Sequence, residues 1–333
     1  MLHYKKKFTQ AMAFLTLVLL YALAVAQNSA QIPSPPQSQP VALIGGTVHP
    51  MSGPEIEGAT ILFDKGKITA IGKTVDVPSD ALRINAIGKH VYPSIIEMAS
   101  TLGLVEIGAV SATRDFAELG NINSNVRAEV AINPDSEHFP VARANGVGLA
   151  VSLPTGGLIS GKGALLQLDG WTWEDMTIKA PVCMVLNFPR MTIFRSRFFR
   201  VSEQEQKKRM KEQMDALSQA FRQARAYKTA KEAAGQKGVP FHAYDARWEA
   251  MIPVLNGELP MWVNASEVKQ IQTAIDWASR EGIKMVLRGG ADAYMLTDLL
   301  KSKGIPVIVG GTLNLPSRRD EPFDTPFTLP LKL

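Results

Sequence analysis

The chain has 333 residues, 46% of them hydrophobic and 20% charged, an ordinary globular composition with material for one large domain or two smaller ones. Its formal charge of +5 owes much to Lys5, Lys6 and Lys7; without them the balance is about +2, which excludes a basic nucleic-acid footprint. The single cysteine, Cys183, excludes an internal disulfide, and its neighbours Val182, Met184 and Val185 mark it as a core residue.

Residues 1–26 read as an export signal: three lysines, then an apolar stretch closing on the small-x-small pattern Ala24-Val25-Ala26. Cleavage near Ala26 predicts an exported mature chain, periplasmic or secreted, and only an uncleaved signal would touch a membrane. Residues 27–40 carry Pro33, Pro35, Pro36 and Pro40 among Gln and Ser and form an extended linker.

Folded sequence starts at Val41. The run 41–48, interrupted by Gly45 and Gly46, predicts a strand. The runs 59–63 and 68–71 flank Asp64-Lys65-Gly66-Lys67, which is hairpin chemistry. With Leu82 and Ile84 alternating against polar neighbours, residues 41–92 form a small antiparallel unit. About fifty residues of it would be marginal alone, so it packs on the rest of the chain.

Beyond it the pattern changes. Apolar runs at 95–96, 147–153, 164–168 and 182–186 predict strands. A long helical segment at 203–234 follows, with Met210, Met214, Leu217, Phe221 and Ala224 on one stripe, and it reads as an outer helix laid on the core. A strand at 260–263 leads to Ser266 as helix N-cap, then to Val268, Ile271, Ile275 and Ala278 on one face, ended by Gly282. A strand at 284–287, a helix around 294–300 stopping near Gly304 and a strand at 306–309 complete the series. Strands every ~20 residues with amphipathic helices between them predict parallel βαβ units.

Residues 156–163 nearly match a phosphate-binding loop, but Gly163 lacks the required hydroxyl and a strand follows, so nucleotide binding is rejected in favour of a loop at the barrel mouth. The polar stretch 112–138 reads as a loop held by Arg–carboxylate pairs, and Arg318-Arg319-Asp320-Glu321 as local ion pairing. Trp171-Thr172-Trp173 fits an alternating strand edge.

Three segments carry a family resemblance: Ile44-Gly45-Gly46-Thr47-Val48; Asp64-Lys65-Gly66-Lys67-Ile68 with Ile71-Gly72; and Gly88-Lys89-His90-Val91-Tyr92-Pro93. The chain resembles the amidohydrolase superfamily, nearest its imidazolonepropionase-like branch. The resemblance implies an α/β fold: a (β/α) TIM-type barrel over 93–333, incomplete at the C-terminus, with a small N-terminal β-sandwich fragment over 41–92. It implies hydrolysis of a non-peptide C–N bond in a small molecule by water activated on a divalent metal such as zinc.

The family's two ion-binding histidines after the first barrel strand fall on Ala99 and Thr101, a later one on Asn264, and the next near Arg288; the eighth-strand aspartate has no counterpart. The expectation is therefore that no metal is bound. Among the five histidines only His138 and His242 lie where they could reach the mouth. If the chain is catalytic, Glu97, Glu106 and Asp115 are the candidates. The alternative is a non-catalytic pseudoenzyme barrel that binds a small-molecule ligand or protein partner at its mouth through Thr101, Asn264 and Arg288. The chain stops before an eighth strand, and the open edges of such a barrel would favour homo-oligomers.

Overall fold

Lys65 and Gly66 take φ values of 50° and 72°, the left-handed pair that a two-residue hairpin turn requires. This turn joins β2 (Ile56–Asp64) to β3 (Lys67–Gly72), and β2 also pairs antiparallel with β1 (Val41–Val48). The computed structural model describes residues 32–194, 201–234, 240, 242–316, 318 and 321–333; residues 1–26, read from the sequence as an export signal, and Arg319 and Asp320 lie outside the described residues. With β2 on one side of β1, the other side takes β4 (Leu82–Asn85) and β5 (His90–Val91), both parallel to it. The unit is thus one mixed five-stranded sheet rather than an all-antiparallel one.

The second sheet has seven strands in chain order: β6 (Ile95–Ser100), β7 (Val147–Ser152), β8 (Ile159–Gln167), β9 (Thr177–Asn187), β10 (Met261–Ala265), β11 (Met285–Gly289) and β12 (Val307–Val309). β6 and β7 are parallel, as are β9 to β12, but β8 runs antiparallel to both its neighbours. The all-parallel expectation is corrected here. Six residues, 153–158, separate β7 from β8, enough for a hairpin loop but not for a parallel crossover.

The helices are α1 (His138–Ala144), α2 (Trp173–Met176), α3 (Glu203–Glu232), α4 (Ala246–Leu255), α5 (Val268–Glu281), α6 (Thr297–Lys303) and α7 (Thr325–Lys332). Gly282 and Gly304 end α5 and α6 in left-handed conformation, as their spacing predicts. Ser266 does not cap α5. Its N-cap is Glu267, and the Val268 N–H donates instead to Asp292 Oδ2 at 3.1 Å. Asp292 is buried and accepts from Arg318 at 2.6 and 2.8 Å, so a paired carboxylate beyond β11 replaces the local hydroxyl. Trp173 lies in α2, with Thr172 as its N-cap, and not on a strand edge. Among the described residues no helix is long and apolar enough to cross a membrane.

Alternation along the strands separates two layers of core. Met184, Leu186, Met261, Val263, Met285 and Leu287 pack outward beneath Leu217 and Phe221 of α3, Met251 of α4, and Ile275 and Trp277 of α5. Cys183, Val185, Trp262 and Val286 face the other way. They share one apolar cluster with Val151, Leu153, Leu165, Ala99 and Ile308. That cluster draws on all seven strands, both edges included. A flat seven-stranded sheet would hold its edges roughly 29 Å apart, so the sheet is curled into a barrel-like shape around this plug. Over the outside of β7 and β8 the cover is an irregular segment anchored by Leu104, Ile132 and Phe139. There Arg127 Nε donates to the buried Glu129 at 2.7 Å, one ion pair of the kind expected for this stretch.

The plug is tightest at β8. A Cβ built on Gly163 would overlap Leu153 Cδ2 and lie 2.9 Å from Cys183 Sγ, whereas one on Gly53 would meet nothing within 4 Å. Gly163→Ala should therefore destabilise the protein by ~1–3 kcal/mol through overpacking. Gly53→Ala should stay within about 0.5 kcal/mol of the parent. Urea midpoints check this; equal midpoints for the two variants would show that the plug is looser than described.

Candidate functional site

Three parallel strands carry a polar residue at or one position before their C-terminal end: Asn187 on β9, Asn264 on β10 and Arg288 on β11. Register sets Asn187 opposite Asn264, Asn264 opposite Arg288 and Arg288 opposite Ile308. These residues share the inward parity of Val185, Trp262 and Val286, so they form one polar row on top of the apolar plug. The C-terminal ends of parallel barrel strands are where loops converge and side chains meet a ligand.

The row is hydrogen-bonded end to end. Asn187 Nδ2 donates to Gly157 O at 2.9 Å and to Ser160 Oγ at 3.0 Å. Asn264 Nδ2 donates to Asn187 Oδ1 at 2.5 Å, and Arg288 Nη1 donates to Asn264 Oδ1 at 3.2 Å. The direction is imposed from one end. A backbone carbonyl can only accept, so Asn187 must turn its NH2 toward Gly157 and its oxygen toward Asn264. Asn264 then has to present its own NH2 to Asn187 and its oxygen to Arg288, and a guanidinium, which only donates, completes the chain.

Two cavities open on this row. One of about 440 Å³ is lined by Glu97, Ala99, Asn264, Arg288, Ile308 and Val309, and so lies between the edge strands β6 and β12. The other, about 430 Å³, is lined by Ala99, Ser100, Thr101, Val105, His138 and Arg288. A third of similar size lies at the opposite ends of the strands, lined by Pro260, Ile275, Ala278, Lys303 and Pro306, with no converging polar row.

The sequence candidates divide accordingly. Ala99, Thr101, Asn264, Arg288 and Glu97 come together around the two mouth cavities. Glu97 Oε1 accepts from the Ala99 N–H at 3.0 Å. Glu106 and Asp115 do not join them. The Glu106 carboxylate accepts from Asn133 Nδ2 at 3.2 Å, and Asp115 is an exposed residue whose N–H donates to Leu104 O. His138 borders the second cavity with Nε2 3.0 Å from Glu106 O, while His242 packs edge-on against Tyr227 of α3 in the outer helical layer. Among the described residues no three His, Cys, Asp or Glu side chains stand close enough to share an ion. Asn187 and Ser160 were not singled out from sequence. The available signal was the first polar residue after a buried strand run, which Asn187 shares with Asn264 and Arg288.

Burial lowers the proton affinity of Arg288 below the ordinary arginine value; Cys183 and Glu97 nearby act in the opposite sense. Beneath it, burial pushes the Cys183 thiol up to about 12, against smaller lowering effects of the Gly163 backbone hydrogen bond and of Arg288.

An amidohydrolase from Thermotoga maritima MSB8 superposes on this chain with a TM-score of 0.72 at 24% identity, covering 84% of this chain and 72% of that one. The two share a fold. A prolidase solved with N-methylphosphonate-L-proline aligns over 81% of this chain and 66% of its own, with a TM-score of 0.41 and 15% identity. No protein-family model matches the chain, and no curated protein matches it. On the amidohydrolase fold, the mouth is built from a methyl group at Ala99, a hydroxyl at Thr101, a carboxamide at Asn264 and a cation at Arg288.

Cys183 supplies a check on the plug beneath the row. With its thiol pushed up to about 12, roughly one molecule in ten thousand carries a thiolate at pH 8. The native protein should resist an aromatic disulfide reagent at that pH and release one thiol equivalent when unfolded in guanidinium. Rapid labelling of the native protein would contradict the closed plug.

Proposed function

We propose that this chain is a barrel of the amidohydrolase fold that uses its mouth as a small-molecule binding site, without the metal-activated water of amidohydrolases. One observation carries the reading: the positions that the resemblance assigns to ion-binding imidazoles, Ala99 and Asn264, line a cavity of about 440 Å³ whose one cation is a fixed guanidinium, Arg288. This donor set does not fit a divalent ion. A methyl cannot ligate, the Asn264 oxygen already accepts from Arg288, and the guanidinium repels a second cation at short range. A concave pocket with an apolar floor and a few converging polar groups is the usual form of a ligand site.

Hydrolysis of a C–N bond is the second reading, and the position of Glu97 in the wall of the same cavity favours it. A carboxylate there could act as general base toward water beside an amide held at Arg288. Fold alone constrains chemistry weakly, so the two readings are separated by assay. In a panel of cyclic amides the binding reading predicts no turnover that Glu97→Gln abolishes.

Metal content tests the main reading. Purified protein should carry far less than one equivalent of zinc. Installing histidine at Ala99, Thr101 and Asn264 together should raise zinc affinity only modestly, because Arg288 remains and the new rings lack the outer hydrogen bonds that are typically worth ~10–100-fold. Stoichiometric, tightly held zinc in the unmodified protein would overturn the proposal.

The same reading places the binding site outside the cytoplasm, on the strength of the signal-like residues 1–26. Mass spectrometry of the expressed protein should find a mature chain starting at Gln27; an intact Met1 in the membrane fraction would replace export with anchoring.

A further inference from the structure

Among the arginines whose contacts are described, those with strong side-chain partners meet carboxylates. Arg127 pairs with Glu129, Arg143 with Asp169, Arg190 with Glu267, Arg225 with Glu281, Arg247 with Asp245 and Arg318 with Asp292. Arg288 differs. It is partly buried at the base of both mouth cavities, yet among the described residues no carboxylate lies within ion-pair distance of it. Among the described residues one of its five N–H donors is engaged, by the neutral oxygen of Asn264 at 3.2 Å. A cation drawn partly out of bulk water is costly unless it is paired at contact, and burial weighs on this one more than Glu97, in the wall of the same cavity, offsets it. Three side chains, Ser160, Asn187 and Asn264, form the chain of hydrogen bonds that holds that cation in one orientation.

We infer that Arg288 is the anchor for the carboxylate group of a small monoanionic ligand, with Asn264 as its positioning residue. This rests on the reading of the mouth as a binding site. The geometry selects the class. A guanidinium presents two parallel N–H donors that match a carboxylate bidentately. Two features disfavour a dianion such as phosphate. The neighbouring N-terminus of α5 is already occupied by Asp292, through the Val268 N–H. Glu97 on the facing edge strand adds a negative charge to the same cavity. The rest of the wall sets Ala99, Ile308 and Val309 beside Ser266 and the backbone of Gly289, Gly310 and Gly311, which leaves an apolar side for a short aliphatic or acyl body attached to the carboxylate.

The test uses the full chain and a near-isosteric pair of probes, pentanoate and pentanamide, of which the second is neutral and carries an NH2 in place of one carboxylate oxygen, with inorganic phosphate as a third, titrated by ligand-observed NMR at low ionic strength. Pentanoate should bind more tightly than pentanamide by about tenfold or more, the scale of a charge-assisted hydrogen bond. Arg288→Met should erase that difference. Asn264→Asp should erase it too, since it sets an internal carboxylate on Arg288; because it also faces Asn187 Oδ1 with an acceptor, retained pentanamide binding rather than an unchanged melting temperature is the sign that the mouth is intact. Equal binding of the two probes, or a pentanoate preference that survives Arg288→Met, would overturn the carboxylate anchor while leaving the mouth as a binding site. Phosphate binding more tightly than pentanoate would overturn the choice of class. Binding of neither probe would remove the anchor as well, and stoichiometric zinc would remove the underlying reading separately.

Discussion

The carbonyl oxygen of Gly157 can only accept a hydrogen bond, and the organisation of the mouth follows from that restriction. It fixes the amide of Asn187, which fixes the amide of Asn264, which turns an oxygen toward β11. Only a donor can complete such a chain, and Arg288 is the strongest donor available at that register position. Beneath the row, the plug of Val185, Trp262, Val286 and Cys183 keeps the interior dry. A ligand that reaches the polar row therefore does so from the top of the strands. The low dielectric below also strengthens whatever charge interaction Arg288 makes above.

Strand positions were largely legible in the sequence because buried runs and their bounding glycines are local signals. The Lys65-Gly66 turn and the stops at Gly282 and Gly304 follow directly from φ > 0 being inexpensive at glycine and necessary at those points. Direction was not legible for β8. Its first half, Ile159-Ser160-Gly161-Lys162-Gly163, carries little apolar signal because Leu153 and Cys183 occupy the space where a larger inward residue would stand. The strand therefore seemed to begin at Ala164, and the connection from β7 looked long enough for other topologies. Ser266 misled for a related reason: the donor it would have satisfied is met by Asp292, a residue remote in sequence.

The site was half legible. Ala99, Thr101, Asn264 and Arg288 were reached by position along the family resemblance, and they do surround one mouth. Asn187 has no such pointer, since an Asn after an apolar run is also an ordinary strand terminator; Ser160 lies in the stretch 156–163 read as a mouth loop, of which residues from Ile159 on belong instead to the strand β8. Glu106 and Asp115 failed as partners of Glu97 because the segment after β6 turns onto the outer side of β7 and β8, where Leu104 and Ile132 are buried. Sequence proximity to a barrel strand did not translate into proximity to its mouth.

On the proposed reading, a fixed cation at the end of β11 makes the mouth favour an anion over a metal ion. The claim is that Asn264 acts through Arg288 and not by itself. A double-mutant cycle on pentanoate affinity, with Asn264→Ala and Arg288→Met alone and combined, measures this most directly. The account predicts that Asn264→Ala weakens binding in the parent chain and changes nothing once Arg288→Met is present. An equal loss in both backgrounds would contradict it.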